Sequence, residues 1–137
     1  MSEVYRVEAE VTAPVLETEV TERVVDAVTA IFPSADLEVT DTEVRGTTHS
    51  LEHLSEVLHR QEILDTARAE FFTRREGDTF SFALKKAAAH EGRVNFSVGS
   101  PDELGEISVR VRVEEPDLES VVDHVAPPTE DGRPITG

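Results

Sequence analysis

The 137-residue sequence contains no cysteine. This absence excludes disulfide bonds, thiolate catalysis, and the zinc or iron–sulfur sites that need cysteine ligands. No apolar run approaches the ~18 residues that a membrane-spanning helix needs. The first ten residues, MSEVYRVEAE, are acidic and alternate like a strand, unlike the basic and then apolar start of a signal peptide. We therefore expect a cytoplasmic protein with no membrane partner.

Basic residues are also scarce. Thirteen Lys and Arg residues stand against 29 Asp and Glu residues, which gives a net charge of -16, and Lys85 and Lys86 are the only lysines. Because acidic residues are spread over the chain, we expect a surface adapted to molar salt, although an ordinary acidic protein remains an alternative. The balance is uneven: residues 60–112 are neutral, whereas residues 1–59 carry -10 and residues 113–137 carry -6.

No catalytic signature is present. The chain contains neither of the two common glycine-rich phosphate-binding motifs, G-x-x-x-x-G-K-[ST] and G-x-G-x-x-G, and it contains no nucleophile elbow. His49, Glu52 and His53 match the H-x-x-E-H pattern of some zinc peptidases, but Ser50 is predicted as a helix N-cap, which would leave His49 outside the helix. A chain of this length is also too short for that architecture. We therefore predict a protein that is not an enzyme and has no metal site and no cofactor.

Periodicity predicts one α+β domain over residues 1–126, with a mostly antiparallel five-stranded sheet, helices on one face, and the order β-α-β-α(α)-β-β-β-α. A tail, residues 127–137, is expected to be mobile or draped on the surface. The first predicted elements are a strand at 3–13, a helix from Thr18 to Phe32, and a strand at 37–46 that is bent near Asp41 and Thr42. Residues 50–75 are predicted as one helix, or as two helices joined between Arg60 and Asp65. Strands are then predicted at 79–84, 94–98 and 107–113, with turns at Gly77–Asp78 and 99–102, followed by a helix capped by Asp117.

The middle of the chain places basic residues on one predicted sheet face. Lys85, Arg93, Arg110 and Arg112 occupy outward positions on the last three strands, beside Ser81, Asn95 and Ser97. Such a stripe suits an RNA backbone, although no aromatic residue falls on that face to stack a base. The alternative is that these cations pair with Glu8, Glu10, Glu106 and Glu114 and add only solubility.

On the helix side, Arg68 has two possible uses. It could pair with Asp65, which would cap a second helix, or it could join Arg60 as an anion contact. The structural use is favoured.

Two stretches resemble a known family. Residues 61–68, Q-x-I-L-D-T-A-R, and residues 84–96, L-x-K-x-A-A-x-x-G-x-V-N-F, are similar to motifs of an archaeal family of small, uncharacterised proteins catalogued as predicted RNA-binding or exosome-related. Within these motifs Gln61, Asp65, Thr66, Arg68, Lys86, Gly92, Asn95 and Phe96 match. Lys85 and Ala87 depart from the pattern, standing where the family has asparagine and glutamine.

The resemblance implies a fold similar to that of the ribosomal protein that binds 5S rRNA. It also implies RNA or an RNA-processing complex as partner. The candidate nucleic-acid contacts, taken from the basic stripe and its neighbours, are Lys85, Lys86, Arg93, Asn95, Arg110, Arg112 and Arg68. The structural residues of the family motifs are Gln61, Asp65, Thr66, Gly92 and Phe96. The alternative hypothesis is a structural or interaction protein, such as a homodimer, in which these residues hold the loop and sheet together.

Overall fold

Alternating apolar and polar residues build the central sheet. A computed structural model describes residues 5–97, 105–130, 133 and 134. The strands are β1 (Arg6–Pro14), β2 (Asp36–Val39), β3 (Glu43–Thr48), β4 (Arg75–Glu76), β5 (Thr79–Lys85) and β6 (Glu106–Glu115). They form one sheet in the order β2-β3-β1-β6-β5-β4, and every neighbouring pair is antiparallel. The α+β class and the antiparallel sheet are therefore confirmed.

Five helices accompany the sheet in the described part of the chain: α1 (Thr21–Ile31), α2 (Glu52–Arg60), α3 (Leu64–Thr73), α4 (Lys86–His90) and α5 (Leu118–Val125). Their apolar faces and the inner face of the sheet share one core. The inner residues of β1 and β6 are buried, and Val7, Val11 and Val111 among them are at most 1% exposed. The polar residues that alternate with them lie on the opposite, open face. None of the described helices is long and apolar enough to cross a membrane.

The predictions of five strands and of the order β-α-β-α(α)-β-β-β-α were wrong, and three segments explain the difference. Residues 37–46 form a hairpin, not one bent strand, because the Thr40 hydroxyl accepts hydrogen bonds from the Thr42 and Glu43 amides at 3.3 and 3.1 Å. This side-chain turn separates β2 from β3. Arg75 and Glu76 add the short β4, which pairs with β5 across the predicted Gly77 turn.

The strand predicted at 94–98 is also not formed as such. Within the described residues, this segment makes only an isolated antiparallel bridge between Leu84 and Phe96. Residues 87–91, expected to be a loop, are mostly helical because the alanine triplet favours α4. Val98 and the predicted turn at 99–102 lie outside the described residues.

Two predicted caps differ from the structure. The N-cap of α1 is Val20, not Thr18, and that of α2 is Leu51, not Ser50, with no side-chain cap in either case. The Ser50 hydroxyl still accepts from the Glu52 amide at 3.3 Å. The predicted joint between α2 and α3 is confirmed at residues 61–63, where Glu62 has a φ of 59° that ends the first helix.

Asp117 caps α5 as predicted. Its carboxylate accepts a hydrogen bond from the Ser120 amide at 2.8 Å. This backbone hydrogen bond, with a further one from the Ser120 side chain, holds the pKa of Asp117 below its ordinary value. The cap therefore stays charged, and favourable at the positive end of the helix, well into the acidic range.

The final segment contains a short hairpin, β7 (Thr129–Glu130) with β8 (Arg133–Pro134). Its start is tied to the domain, since the Thr129 hydroxyl donates to Asp65 Oδ1. This contact fits the expectation of a tail draped on the surface. Mobility of residues 127–137 stays a prediction.

Candidate functional site

The open face of the sheet has two unlike halves. The half formed by β2, β3 and β1 is mostly acidic, with outward carboxylates of Asp36, Glu38, Glu43, Glu8 and Glu10 against the cations of Arg6 and Arg45. The other half contains most of the basic side chains predicted from the sequence. We call it the β5–β6 surface and define it by Ser81, Lys85, Asn95, Ser108, Arg110 and Arg112. Pairing of β5 with β6 places the strand residues on one face, and the isolated bridge between Leu84 and Phe96 places Asn95 beside Lys85.

Arg112 is largely neutralised by its neighbours. It lies opposite Glu8 on β1, and its Nη2 donates to Glu8 at 3.2 Å and to Glu114 at 3.3 Å. This is the pairing that the alternative interpretation of the stripe predicted. Because the pair is exposed, it contributes little to stability, but it lowers the cation's availability for a ligand.

Arg110 is different. It lies between Glu10 on β1 and Ser81 on β5, yet its exposed guanidinium forms no ion pair with any described residue. It lines two shallow depressions of the open face, of about 200 and 320 Å³. The larger one is also lined by the hydroxyls of Thr12, Ser81 and Ser108 and by the carboxylates of Glu10 and Glu106. Arg110 is therefore an available cation among hydrogen-bonding groups.

Lys85 and Asn95 extend this surface along β5. The Lys85 amide donates to the Asn95 carbonyl at 2.8 Å, which sets the two residues side by side, and both side chains are exposed. Arg93 is also exposed, with only a 4.0 Å contact to Glu91. Ser97 is 3% exposed and donates to Glu106 at 2.7 Å, so its predicted outward role was wrong.

Lys86 does not belong to this surface, contrary to its prediction as a nucleic-acid contact. Its side chain is 4% exposed and donates to Glu19 Oε1 at 2.8 Å and to the Pro14 carbonyl at 2.7 Å. The helical start of α4 rotates Lys86 inward while Lys85, the last residue of β5, points out. Lys86 thus ties α4 to the end of β1 and to the segment before α1.

Arg68 is likewise engaged on the helix side. Its Nη1 donates to Asp123 at 2.6 Å and to the Ala126 carbonyl at 3.1 Å, and its guanidinium lies over the Phe72 ring. It lies on the helix side, where it was predicted, and its role as a nucleic-acid contact stays a prediction. Among the described residues it forms no ion pair with Asp65, which accepts a hydrogen bond from Thr129. Asp65 lies in the first turn of α3 without capping it, and Thr66 is exposed.

The two family motifs meet in space. The Gln61 side-chain amide donates to the Val94 carbonyl at 2.9 Å and accepts from the Val94 amide at 2.7 Å. Gly92, at a φ of 77°, ends α4 in a Schellman motif in which the Arg93 amide reaches the Ala88 carbonyl at 2.9 Å. Phe96 then packs on Phe71 and Phe82. These contacts give Gln61, Gly92 and Phe96 clear structural roles.

Sequence reasoning missed Glu19 and Ser108. Glu19 was assigned to the first turn of α1, but its carboxylate is 10% exposed and accepts from Lys86 and from the Leu16 amide. No local signal marked it, since its partner lies 67 residues away. Ser108 could have been found from the alternation of β6, which places it outward two residues before Arg110.

The three residues of the H-x-x-E-H pattern contact separate partners in the fold. Nδ1 of His49 donates to the Val7 carbonyl at 2.9 Å, and Glu52 accepts from the Tyr5 hydroxyl and lies 2.9 Å from His124 Nε2. His53 is 3.4 Å from Glu56. Among the described residues, no group of three or more potential ligands is arranged to hold a metal ion.

Comparison with known proteins finds close similarity in archaea. A UPF0201 protein of Methanothermobacter thermautotrophicus is 39% identical over 119 residues, which cover 85% of this chain and 89% of the relative. One of Thermococcus kodakarensis is 34% identical, with 98% and 99% covered. A UPF0200/UPF0201 protein of Archaeoglobus fulgidus is 37% identical over 94% of this chain, which spans only 40% of that relative's length. No family model matches the chain.

Solved structures agree with this result. The crystal structure of a UPF0201 protein from Methanococcus jannaschii has a TM-score of 0.88 at 35% identity, and the match covers 94% of this chain and 99% of that one. A DUF54 protein from Methanothermobacter thermautotrophicus has a TM-score of 0.59 at 19% identity, which indicates a shared fold alone.

Proposed function

Since the chain belongs to the archaeal UPF0201 family, we propose that it is a non-enzymatic, RNA-associated binding module that contacts the RNA backbone through the β5–β6 surface. The observation that carries the proposal is Arg110, an exposed guanidinium without an ion-pair partner among the described residues, which lines a depression together with Thr12, Ser81 and Ser108. Arginine and hydroxyl groups are common ligands of phosphate and sugar oxygens.

The composition of this surface favours RNA over a protein partner. Protein interfaces are anchored by large apolar or aromatic side chains near their centre. The only exposed large apolar residues among those described are Val20, beside α1, and Val39, on the opposite edge strand β2. Among the described residues, the β5–β6 surface thus has no exposed large apolar side chain, and it suits a hydrated, charged ligand. A homodimer, the alternative from the sequence, stays a prediction that sedimentation of the purified protein would test.

We propose a narrower contact set than the one predicted from the sequence. Arg110, Lys85 and Asn95 form its centre, with Arg93 at one end and Arg112 as a weaker, partly neutralised contributor. Lys86 and Arg68 leave the set because their cations are already paired. The carboxylates of Glu8 and Glu10 on β1 line the depressions beside Arg110, so we place the proposed phosphate contacts on the β5 and β6 side of Arg110.

Replacing Arg110 by alanine is expected to weaken RNA binding and to reduce the slope of log affinity against log salt by about 1, because one phosphate contact is lost. Fluorescence anisotropy with a labelled RNA at several KCl concentrations measures both quantities. Arg45→Ala is the matched control, since Arg45 is an exposed arginine on β3, in the acidic half of the same face. Equal losses for the two variants, or no RNA binding by the parent protein, would refute the proposal.

The proposal includes adaptation of the acidic surface to molar salt. With a net charge of -16, repulsion within the folded protein falls as the screening length drops from about 10 Å at 0.1 M to about 3 Å at 1 M ionic strength. The melting temperature is therefore expected to rise steadily with KCl over that range, as followed by circular dichroism. A flat or falling melting temperature would identify an ordinary acidic protein instead.

A further inference from the structure

The β5–β6 surface has no aromatic side chain available to stack on a base. The chain contains one tyrosine and six phenylalanines, and all seven lie within the described residues. Six are buried in the core: Tyr5, Phe32, Phe71, Phe80, Phe82 and Phe96. The seventh, Phe72, is half-buried on α3 with the Arg68 guanidinium over its ring. Proteins that bind single-stranded RNA commonly stack its bases on exposed aromatic rings, a contact that the β5–β6 surface does not supply.

The β5–β6 surface instead presents groups that bind sugar and phosphate. Arg110 and Lys85 supply positive charge, Asn95 an amide, and Ser81 and Ser108 hydroxyls that can both donate and accept. The strands beneath them pair without interruption over seven residue pairs, from Thr79 with Arg112 to Lys85 with Glu106. At ~3.4 Å per residue this regular stretch is about 20 Å long, which gives a continuous polar surface on two strands.

The minor groove of an RNA duplex matches these groups. A-form RNA has a wide, shallow minor groove that displays 2′-hydroxyls between two rows of phosphates. A broad strand surface can approach such a groove, where serine hydroxyls and the Asn95 amide meet 2′-hydroxyls and the flanking cations meet phosphates. Base identity is not needed for any of these contacts.

From these observations we infer that the ligand class of the β5–β6 surface is double-stranded RNA, recognised by its backbone and 2′-hydroxyls. This inference rests on the proposed RNA function and specifies it further. It predicts a preference for duplex RNA over single-stranded RNA and over duplex DNA, with little dependence on sequence.

The test compares three labelled ligands of one sequence at one salt concentration: an RNA duplex of about 16 base pairs or more, one of its single strands, and the corresponding DNA duplex. Fluorescence anisotropy with the full chain is expected to show at least about tenfold tighter binding of the RNA duplex than of either other ligand, with each tenfold worth about 1.4 kcal/mol. Binding of the single strand as tight as the duplex, or of DNA as tight as RNA, would overturn the inference while leaving RNA association intact. No binding of any RNA would reject the proposed function itself.

A variant of one hydroxyl separates backbone recognition from charge alone. Ser108→Ala removes an exposed hydroxyl without changing the net charge, and it is expected to reduce the RNA-over-DNA preference. Thr47→Ala removes an exposed hydroxyl from β3, in the acidic half of the face, and is expected to leave that preference unchanged. A preference that survives Ser108→Ala unchanged would count against a role for this hydroxyl in recognising the 2′-OH.

Discussion

Replacing Lys86 by alanine is expected to lower the free energy of unfolding by about 3–5 kcal/mol, because it leaves the carboxylate of Glu19 buried without its cation. Both side chains are at most 10% exposed, and their atoms lie 2.8 Å apart. The Pro14 carbonyl loses a donor in the same variant. Urea denaturation followed by circular dichroism measures the change.

The neighbouring lysine is the matched control. Lys85→Ala removes the same charge from an exposed site and is expected to change stability by less than about 0.5 kcal/mol. RNA binding is expected to show the reverse pattern. Lys85→Ala should weaken RNA binding, whereas the folded fraction of Lys86→Ala should bind RNA as the parent protein does. Equal stability losses for the two variants would show that the Lys86–Glu19 pair does not hold α4 in place.

Adding Glu19→Gln to the Lys86 variant tests the cause of the instability. The double variant Glu19→Gln with Lys86→Ala removes both charges while glutamine keeps an acceptor for the Leu16 amide. Part of the lost stability is expected to return, because no unpaired charge remains buried. No recovery would indicate that the lysine acts through its bond to the Pro14 carbonyl.

Local patterns predicted those parts of the fold whose cause is local. The alternation of β1 and β6, the cap at Asp117 and the joint after Arg60 all follow from neighbouring residues, and the structure confirms them. The hairpin at Thr40 was missed even though its cause is short-range. A threonine hydroxyl that accepts from two following amides forms a turn without the glycine or asparagine by which such turns are usually found.

In the candidate site, too, the positions of some residues follow from local patterns and the positions of others do not. Outward positions of Arg110 and Arg112 follow from strand alternation, so the sequence could place them. Lys85 and Lys86 are adjacent, and only the change from strand to helix between them decides which one is buried. That decision depends on Glu19 and Pro14, whose positions relative to Lys86 arise from tertiary packing. Periodicity within a segment carries no information about such distant partners.

The other large effect is expected from Phe71→Ala, at about 3–5 kcal/mol of lost stability. Phe71 is fully buried, and its ring centroid lies 4.9 Å from those of Phe80 and Phe82 and 6.1 Å from that of Phe96. The variant therefore leaves a cavity where α3, β5 and the segment carrying Asn95 meet. Chemical denaturation measures the loss, and Phe71→Leu is expected to lose less because it keeps most of the volume.

The adjacent phenylalanine provides the comparison for this variant. Phe72 is half-buried against the core with the Arg68 guanidinium over its ring, so Phe72→Ala is expected to cost about 1–2 kcal/mol. A loss as large as that of Phe71→Ala would contradict the central position of the Phe71 cluster.

Because Phe80 and Phe82 alternate with Ser81 on β5, the cluster supports the β5–β6 surface from its inner side. Phe71→Ala should consequently weaken RNA binding under conditions that partly unfold it, whereas Arg110→Ala should weaken binding with stability unchanged.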